Sequence, residues 1–149
     1  MFTLHVTEFT RPLLIMRFPC VVDAEALHAM MDAFDRAHRR GARFATVLDA
    51  SETRRLPASK ERQMLAEWLG DATRQQRERE LDLGAAIVVP SPVVRAFVAA
   101  VYFVRKPVAP QHWTSDPADA IEWACGRLVE AGVPWNPEID RLRRDATRH

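Results

Sequence analysis

The chain is 149 residues long, with 21 basic and 20 acidic side chains and a formal charge of +1. Apolar residues make up 48% and charged residues 28%, the balance of one ordinary globular domain, which excludes a disordered chain, a collagen-like repeat and a disulfide scaffold. A net charge so near zero gives no general attraction to nucleic acid.

Residues 3–9 alternate loosely, and residues 13–18 form a second apolar stretch closed by Pro19. Together they predict an N-terminal hairpin or two adjacent strands. Asp23 is placed as an N-cap. Ala26, Leu27, Met30, Met31, Phe34 and Ala37 then recur at helical spacing until Gly41 ends the helix. Residues 44–48 predict a short strand that runs into Asp49. After a polar segment over 50–57, the spacing predicts one long helix over 58–81, with the stripe Met64, Leu65, Trp68, Leu69 and Ala72 and a kink at Gly70. Its charged stretch over 74–80 reads as a solvated face. Residues 85–89, Ala-Ala-Ile-Val-Val, predict a strand covered on both faces. Ser91 caps and Pro92 opens a helix that reaches about Arg105. A short strand over 111–114 follows, then a helix over 118–131, opened by Ser115-Asp116-Pro117 and ended by Gly132. The charged segment over 134–149 is expected to fray or dock loosely, as a tail to a single domain over 1–133. Strands alternating with helices predict an α/β fold, with a central mixed, mostly parallel sheet of about five strands and about four helices.

Sequence patterns that carry catalysis are missing. The five glycines stand apart, so neither a phosphate-binding loop nor a dinucleotide fingerprint is present. There is no His-Glu-x-x-His, no histidine pair at metal spacing and no Gly-x-Ser-x-Gly. The expectation is a chain with no catalytic residues, no metal and no cofactor. Cys20 and Cys125 read as reduced, partly buried thiols of a cytoplasmic protein, with a disulfide between them left open by sequence. A Cys20–His112 nucleophile pair has no motif behind it. The apolar runs over 12–22 and 93–104 are broken by Arg17 and Arg95 and are too short to span a bilayer. The N-terminus lacks the basic region of a signal peptide.

The segment over 48–59 leaves the carboxyl end of a strand and enters a helix, the edge at which open α/β sheets bind ligands. Asp49, Ser51, Thr53, Arg54, Arg55 and Ser59 are candidates there for an anion, a phosphorylated serine or a ligand headgroup, helped by the free N–H groups of the next helix. The same residues also fit a solvated loop in which Asp49 bonds nearby backbone and Ser59 caps the helix. A second strand-to-helix junction holds Ser91 and Arg95. Arg95 opposes the helix dipole, a conflict that an anion or an acidic partner such as Asp49 would relieve. The helix over 93–104 is apolar all round, so one face is expected at an interface or an apolar pocket, with self-association the first choice. Val94, Phe97, Val98, Val101, Tyr102 and Phe103 are the interface candidates. Trp68 and Trp123 read as core residues, and Trp113 and Trp135 as partly exposed.

The order of elements and the run Leu48-Asp49-Ala50-Ser51 resemble the STAS / SpoIIAA-like domains, the α/β fold of anti-sigma factor antagonists and of lipid-binding relatives. The resemblance covers about residues 13–131. Antagonist members carry Asp-x-Ser after a strand and then Asp-Ser-Ser-Gly at a helix start. Asp49-Ala50-Ser51 matches the first part. In Pro57-Ala58-Ser59-Lys60, Ser59 alone keeps the second, so the looser SpoIIAA-like branch fits better than the phosphorylated antagonists. The resemblance implies a non-enzymatic regulatory or protein-interaction domain, acting on a protein partner or as a homodimer. The alternative is a carrier of a lipid or small anionic ligand, its pocket between the apolar helix and the sheet and Arg54, Arg55 and Arg95 near the headgroup.

Overall fold

The computed structural model describes residues 3–7 and 11–147. The first helix shows how local chemistry sets its bounds. Asp23 accepts a hydrogen bond from the Ala26 N–H at 2.9 Å, and Gly41 takes a left-handed φ of 72°, so α1 (Ala24–Arg40) begins and ends at its expected signals. Before it, β1 (His5–Thr7) pairs antiparallel with β2 (Leu13–Arg17). Residues 8 and 9, the end of the first expected strand, lie outside the described residues.

After β3 (Phe44–Asp49), the long helix expected over 58–81 is two helices, α2 (Ser59–Leu69) and α3 (Ala72–Leu81). Asp71 accepts from the Arg74 N–H at 2.9 Å and so caps a new helix. The Arg74 side chain turns back to the Trp68 and Leu69 carbonyls at 3.0 and 3.4 Å, adding to the bonds those carbonyls take from the Asp71 N–H and the Gln75 amide at the end of α2. Then come β4 (Asp82–Val88), α4 (Pro92–Val104), β5 (Gln111–Thr114), α5 (Pro117–Glu130) and α6 (Pro137–Thr147).

The last helix corrects the expectation of a loose tail. Ile139 is fully buried, and Leu142 and Ala146 pack on the same side. Three apolar residues at i, i+3 and i+7 give α6 a narrow but sufficient stripe. Arg143 grips Glu122 of α5 through two bonds at 2.8 and 2.9 Å. That guanidinium holds the Glu122 carboxyl below the usual carboxylate range.

The sheet order is β1-β2-β3-β4-β5, parallel throughout except for β1. The order of β2 to β5 never reverses, so right-handed crossovers put α1, α2–α3 and α4 on one face. Leu14 and Met16, Thr46 and Leu48, and Ala85 and Ile87 form that face in register. On the opposite face Leu13, Ala45, Val47, Ala86 and Val88 meet Ala120, Ala124 and Leu128 of α5 and Ile139 of α6. Among the described residues the architecture is α/β with a five-stranded, mostly parallel mixed sheet, consistent with a STAS-like fold, and has six helices instead of about four. Among the described residues, no helix is long and apolar enough to cross a membrane.

Candidate functional site

Because β3 and β4 are parallel neighbours, the loops that leave them meet. The Ala50 N–H donates to the Val88 carbonyl at 2.9 Å, and Ala50 and Leu56 share a small apolar cluster with Val94. Several polar groups of the first loop are engaged within it or with the β2–α1 connection. Asp49 accepts from the Ser51 N–H at 2.9 Å, and its other oxygen lies 4.0 Å from the Arg17 guanidinium. The buried Thr53 hydroxyl donates to the Pro19 carbonyl at 3.1 Å. Arg54 donates to the Ser51 and Thr53 carbonyls. Arg55 is exposed, and its N–H is bonded to the Cys20 carbonyl. A loop folded against a sheet edge must pair its own polar groups, and this one does so by side chain to backbone.

Two details differ from expectation. Ala58, not Ser59, is the N-cap of α2 and makes no side-chain bond, while the Ser59 hydroxyl accepts from Arg62 at 2.9 Å. Ser91 does cap α4, accepting from the Val94 N–H at 3.4 Å. Arg95, however, finds an aromatic partner instead of Asp49: its guanidinium lies 5.8 Å from the centre of the Trp113 ring, a cation–π arrangement.

Between the sheet and helices α1 to α4 lies a cavity of about 140 Å³. Its floor is Thr46, Leu48, Ala85, Ile87 and Val89; Val94, Val98, Val101 and Tyr102 of α4 form the roof. Leu27, Met30, Phe34, Leu65 and Trp68 line the wall. The interface candidates of α4 therefore divide. Val94 and Val101 are buried, and Phe97, Val98 and Tyr102 line the cavity, whereas Phe103 is 92% exposed. None of Arg54, Arg55 and Arg95 lines it.

The polar end of the cavity lies at the amino ends of β4 and β5, the opposite edge from the one the loop chemistry pointed to. Arg74, Glu78, Asp82 and Gln111 line it. The Arg74 guanidinium sits 2.7 Å from Glu78, with both side chains 6% exposed. The other Glu78 oxygen accepts from the Val108 and Ala109 N–H groups at 2.6 Å each. Arg74 also lies over the Trp68 ring at 4.3 Å. This corrects the solvated-face reading at Arg74 and Glu78, while Arg77, Arg79 and Glu80 are exposed as expected. Helix α3 has almost no apolar residues to turn inward, so Arg74, Glu78 and Leu81, at i, i+4 and i+7, form its inner side. That spacing was the signal available in the sequence.

Asp82 faces the fully buried His38 ring at 3.5 Å. Burial pushes the Asp82 carboxyl above its ordinary value, against the lowering pull of the His38 hydrogen bond. Burial likewise pushes the Tyr102 phenol far up, so it stays protonated. Its ring meets Trp113 edge-on at 6.0 Å. Three polar atoms of the cavity lining have no hydrogen-bond partner among the described residues: Trp68 Nε1, Asp82 Oδ1 and Gln111 Oε1.

Both cysteines are free, Cys20 exposed and Cys125 buried. Burial pushes the Cys125 thiol up to about 11, which keeps it a thiol, a poor nucleophile, at neutral pH. His112 is bonded to Asp119 at 2.8 Å and stacked on Trp123 at 5.2 Å. The described residues hold no group of three or more His, Cys, Asp or Glu placed to bind a metal ion. No family model, no curated protein and no solved structure matches the chain.

Proposed function

We propose that the chain is a non-catalytic, STAS / SpoIIAA-like regulatory module of the cytoplasm that takes one small apolar ligand beneath α4. The observation that carries this reading is the cavity of about 140 Å³ with mostly aliphatic and aromatic walls. Cavities of about 150 Å³ lined by such side chains take up benzene. That size supports a single ring or a short chain, far smaller than a membrane lipid. Binding is favoured over catalysis because Arg74 and Glu78 are fully engaged with each other and with backbone. An anionic headgroup is disfavoured because the arginines expected near it lie elsewhere.

Toluene tests the reading. At tenfold over its Kd it is expected to raise the melting temperature by about 3–6 °C and to shift methyl resonances of Ile87, Val89 and Val98. A chain whose melting and spectra ignore toluene, and whose native mass from its own host carries no addition, overturns it.

A second reading concerns the other side of α4. Phe103 at 92% and Val93 at 66% exposure favour contact with a protein partner or a second copy, which would sense the ligand through α4. The expected result is that Phe103→Glu lowers the solution mass of any assembly seen by light scattering. An unchanged assembly of a folded variant removes Phe103 from the contact.

A further inference from the structure

We propose, resting on the second reading above, that the outer face of α4 docks an amphipathic helix of a partner protein whose apolar ridge is bordered by acidic residues.

Helical spacing sets the shape of the face. Val93, Ala96, Ala100 and Phe103 stand at i, i+3, i+7 and i+10, so they share one side of α4. All four are exposed, Val93 at 66% and Phe103 at 92%. From Val93 to Phe103 the face runs about 15 Å, or about three turns of a partner helix. The two alanines lie between larger end residues, so the face is a saddle that lets another helix axis come close. A groove runs along one flank, lined by Ala66 of α2 and by Val93, Ala96 and Ala100. A hollow on the other flank is lined by Ala99, Phe103 and Val108. Helices pack by setting ridges into such grooves, and an amphipathic segment reads them with residues three and four apart.

Charge selects the partner. Residues 83–115 contain no aspartate or glutamate, in a chain with 20 acidic side chains. Arg95, Arg105 and Lys106 are exposed on α4 or just after it, and Lys106 lines the hollow. Arg62 of α2, exposed as well, lines the groove. None of these four cations forms an ion pair among the described residues. Glu61 and Glu67 of α2 line neither the groove nor the hollow. A helix with acidic edges therefore meets cations on both flanks. A second copy on the same face would set the same four cations against one another. A bilayer anchor relies on several large apolar side chains, and here one phenylalanine and one valine flank alanines.

Two synthetic peptides of about 18 residues, about five turns of helix, test this on the full chain. Both carry leucine at the heptad a and d positions; one has glutamate at the flanking positions and the other lysine. The glutamate peptide is expected to bind at least about tenfold more tightly by fluorescence anisotropy. The gap should close to about twofold in 1 M salt, where the screening length is about 3 Å. The glutamate peptide should also move the amide resonances of Ala96, Ala100 and Phe103. Phe103→Ser alters an exposed side chain, keeps the fold and should weaken that peptide by about fivefold or more. Arg62→Glu combined with Lys106→Glu should reverse the order of the two peptides. Equal or tighter binding of the lysine peptide to the unaltered chain overturns the acidic partner and leaves α4 standing as a protein contact. Binding that Phe103→Ser does not change and that leaves the α4 resonances unmoved overturns both. If neither peptide binds, the proposal fails, and light scattering and sedimentation with phosphatidylglycerol–phosphatidylcholine vesicles decide whether a second copy or an anionic membrane takes the face instead.

Discussion

Replacing Arg74 with methionine is expected to destabilise the fold by about 3–5 kcal/mol, the cost of breaking a buried ion pair from one side. Methionine keeps much of the length and packing but strands the Glu78 carboxylate, 6% exposed, without its cation. It also removes the donors to the Trp68 and Leu69 carbonyls, where α2 ends and α3 begins. Glu78→Gln is the milder change, at about 1–3 kcal/mol. The amide oxygen there still accepts from the Val108 and Ala109 N–H groups that tie the α4–β5 connection to α3. Urea unfolding read by tryptophan fluorescence measures both. A loss below about 1 kcal/mol in Arg74→Met would show that water reaches and solvates the Glu78 carboxylate left behind. High salt should change the result little, because a buried pair is poorly screened.

The same pair marks the limit of what the sequence made legible. Helix α1 could be read because every local signal agreed: a cap at Asp23, a broad apolar face and a stop at Gly41. Strands β3 and β4 could be read because a central parallel strand is apolar on both faces. The break between α2 and α3 could not, since helix-forming residues lie on both sides of Gly70 and the break depends on where the Arg74 side chain goes. In residues 74–80 charge density outweighed spacing, so two buried ions passed for surface. The loop over 49–59 misled in the opposite direction. Its hydroxyls and arginines suggest a bound anion, yet the Asp49 carboxylate, the Thr53 hydroxyl and the Arg54 guanidinium close hydrogen bonds that the loop itself needs. The cavity lies in the gap between four helices and a sheet, and no periodicity within any one segment encodes a gap. What the sequence did locate was its roof, as an apolar helix with a face to spare.

Gly84→Ala is the second large effect, expected to cost about 2–6 kcal/mol from backbone strain and overpacking together. Gly84 has a φ of +150°, which L side chains rarely adopt, and a Cβ there would stand 2.6 Å from the Trp123 ring and 3.2 Å from the Pro110 carbonyl oxygen. The position is a bulge: Phe44 pairs with Asp82 but Thr46 pairs with Ala85, so β4 holds one residue more than β3 over that stretch. The extra residue resets the alternation. Leu83 packs with the α5 side, while Asp82 joins Ala85 and Ile87 in lining the cavity. Alanine must either push Trp123 off its stack with His112 at 5.2 Å or straighten the bulge. Straightening would turn Asp82 away from His38 and from the cavity. The variant is therefore expected to lose stability in urea and to shift the His112 ring resonance together. A Gly84→Ala chain within about 1 kcal/mol of the parent, with an unshifted His112 resonance, would show that the strand absorbs a side chain there without moving Asp82.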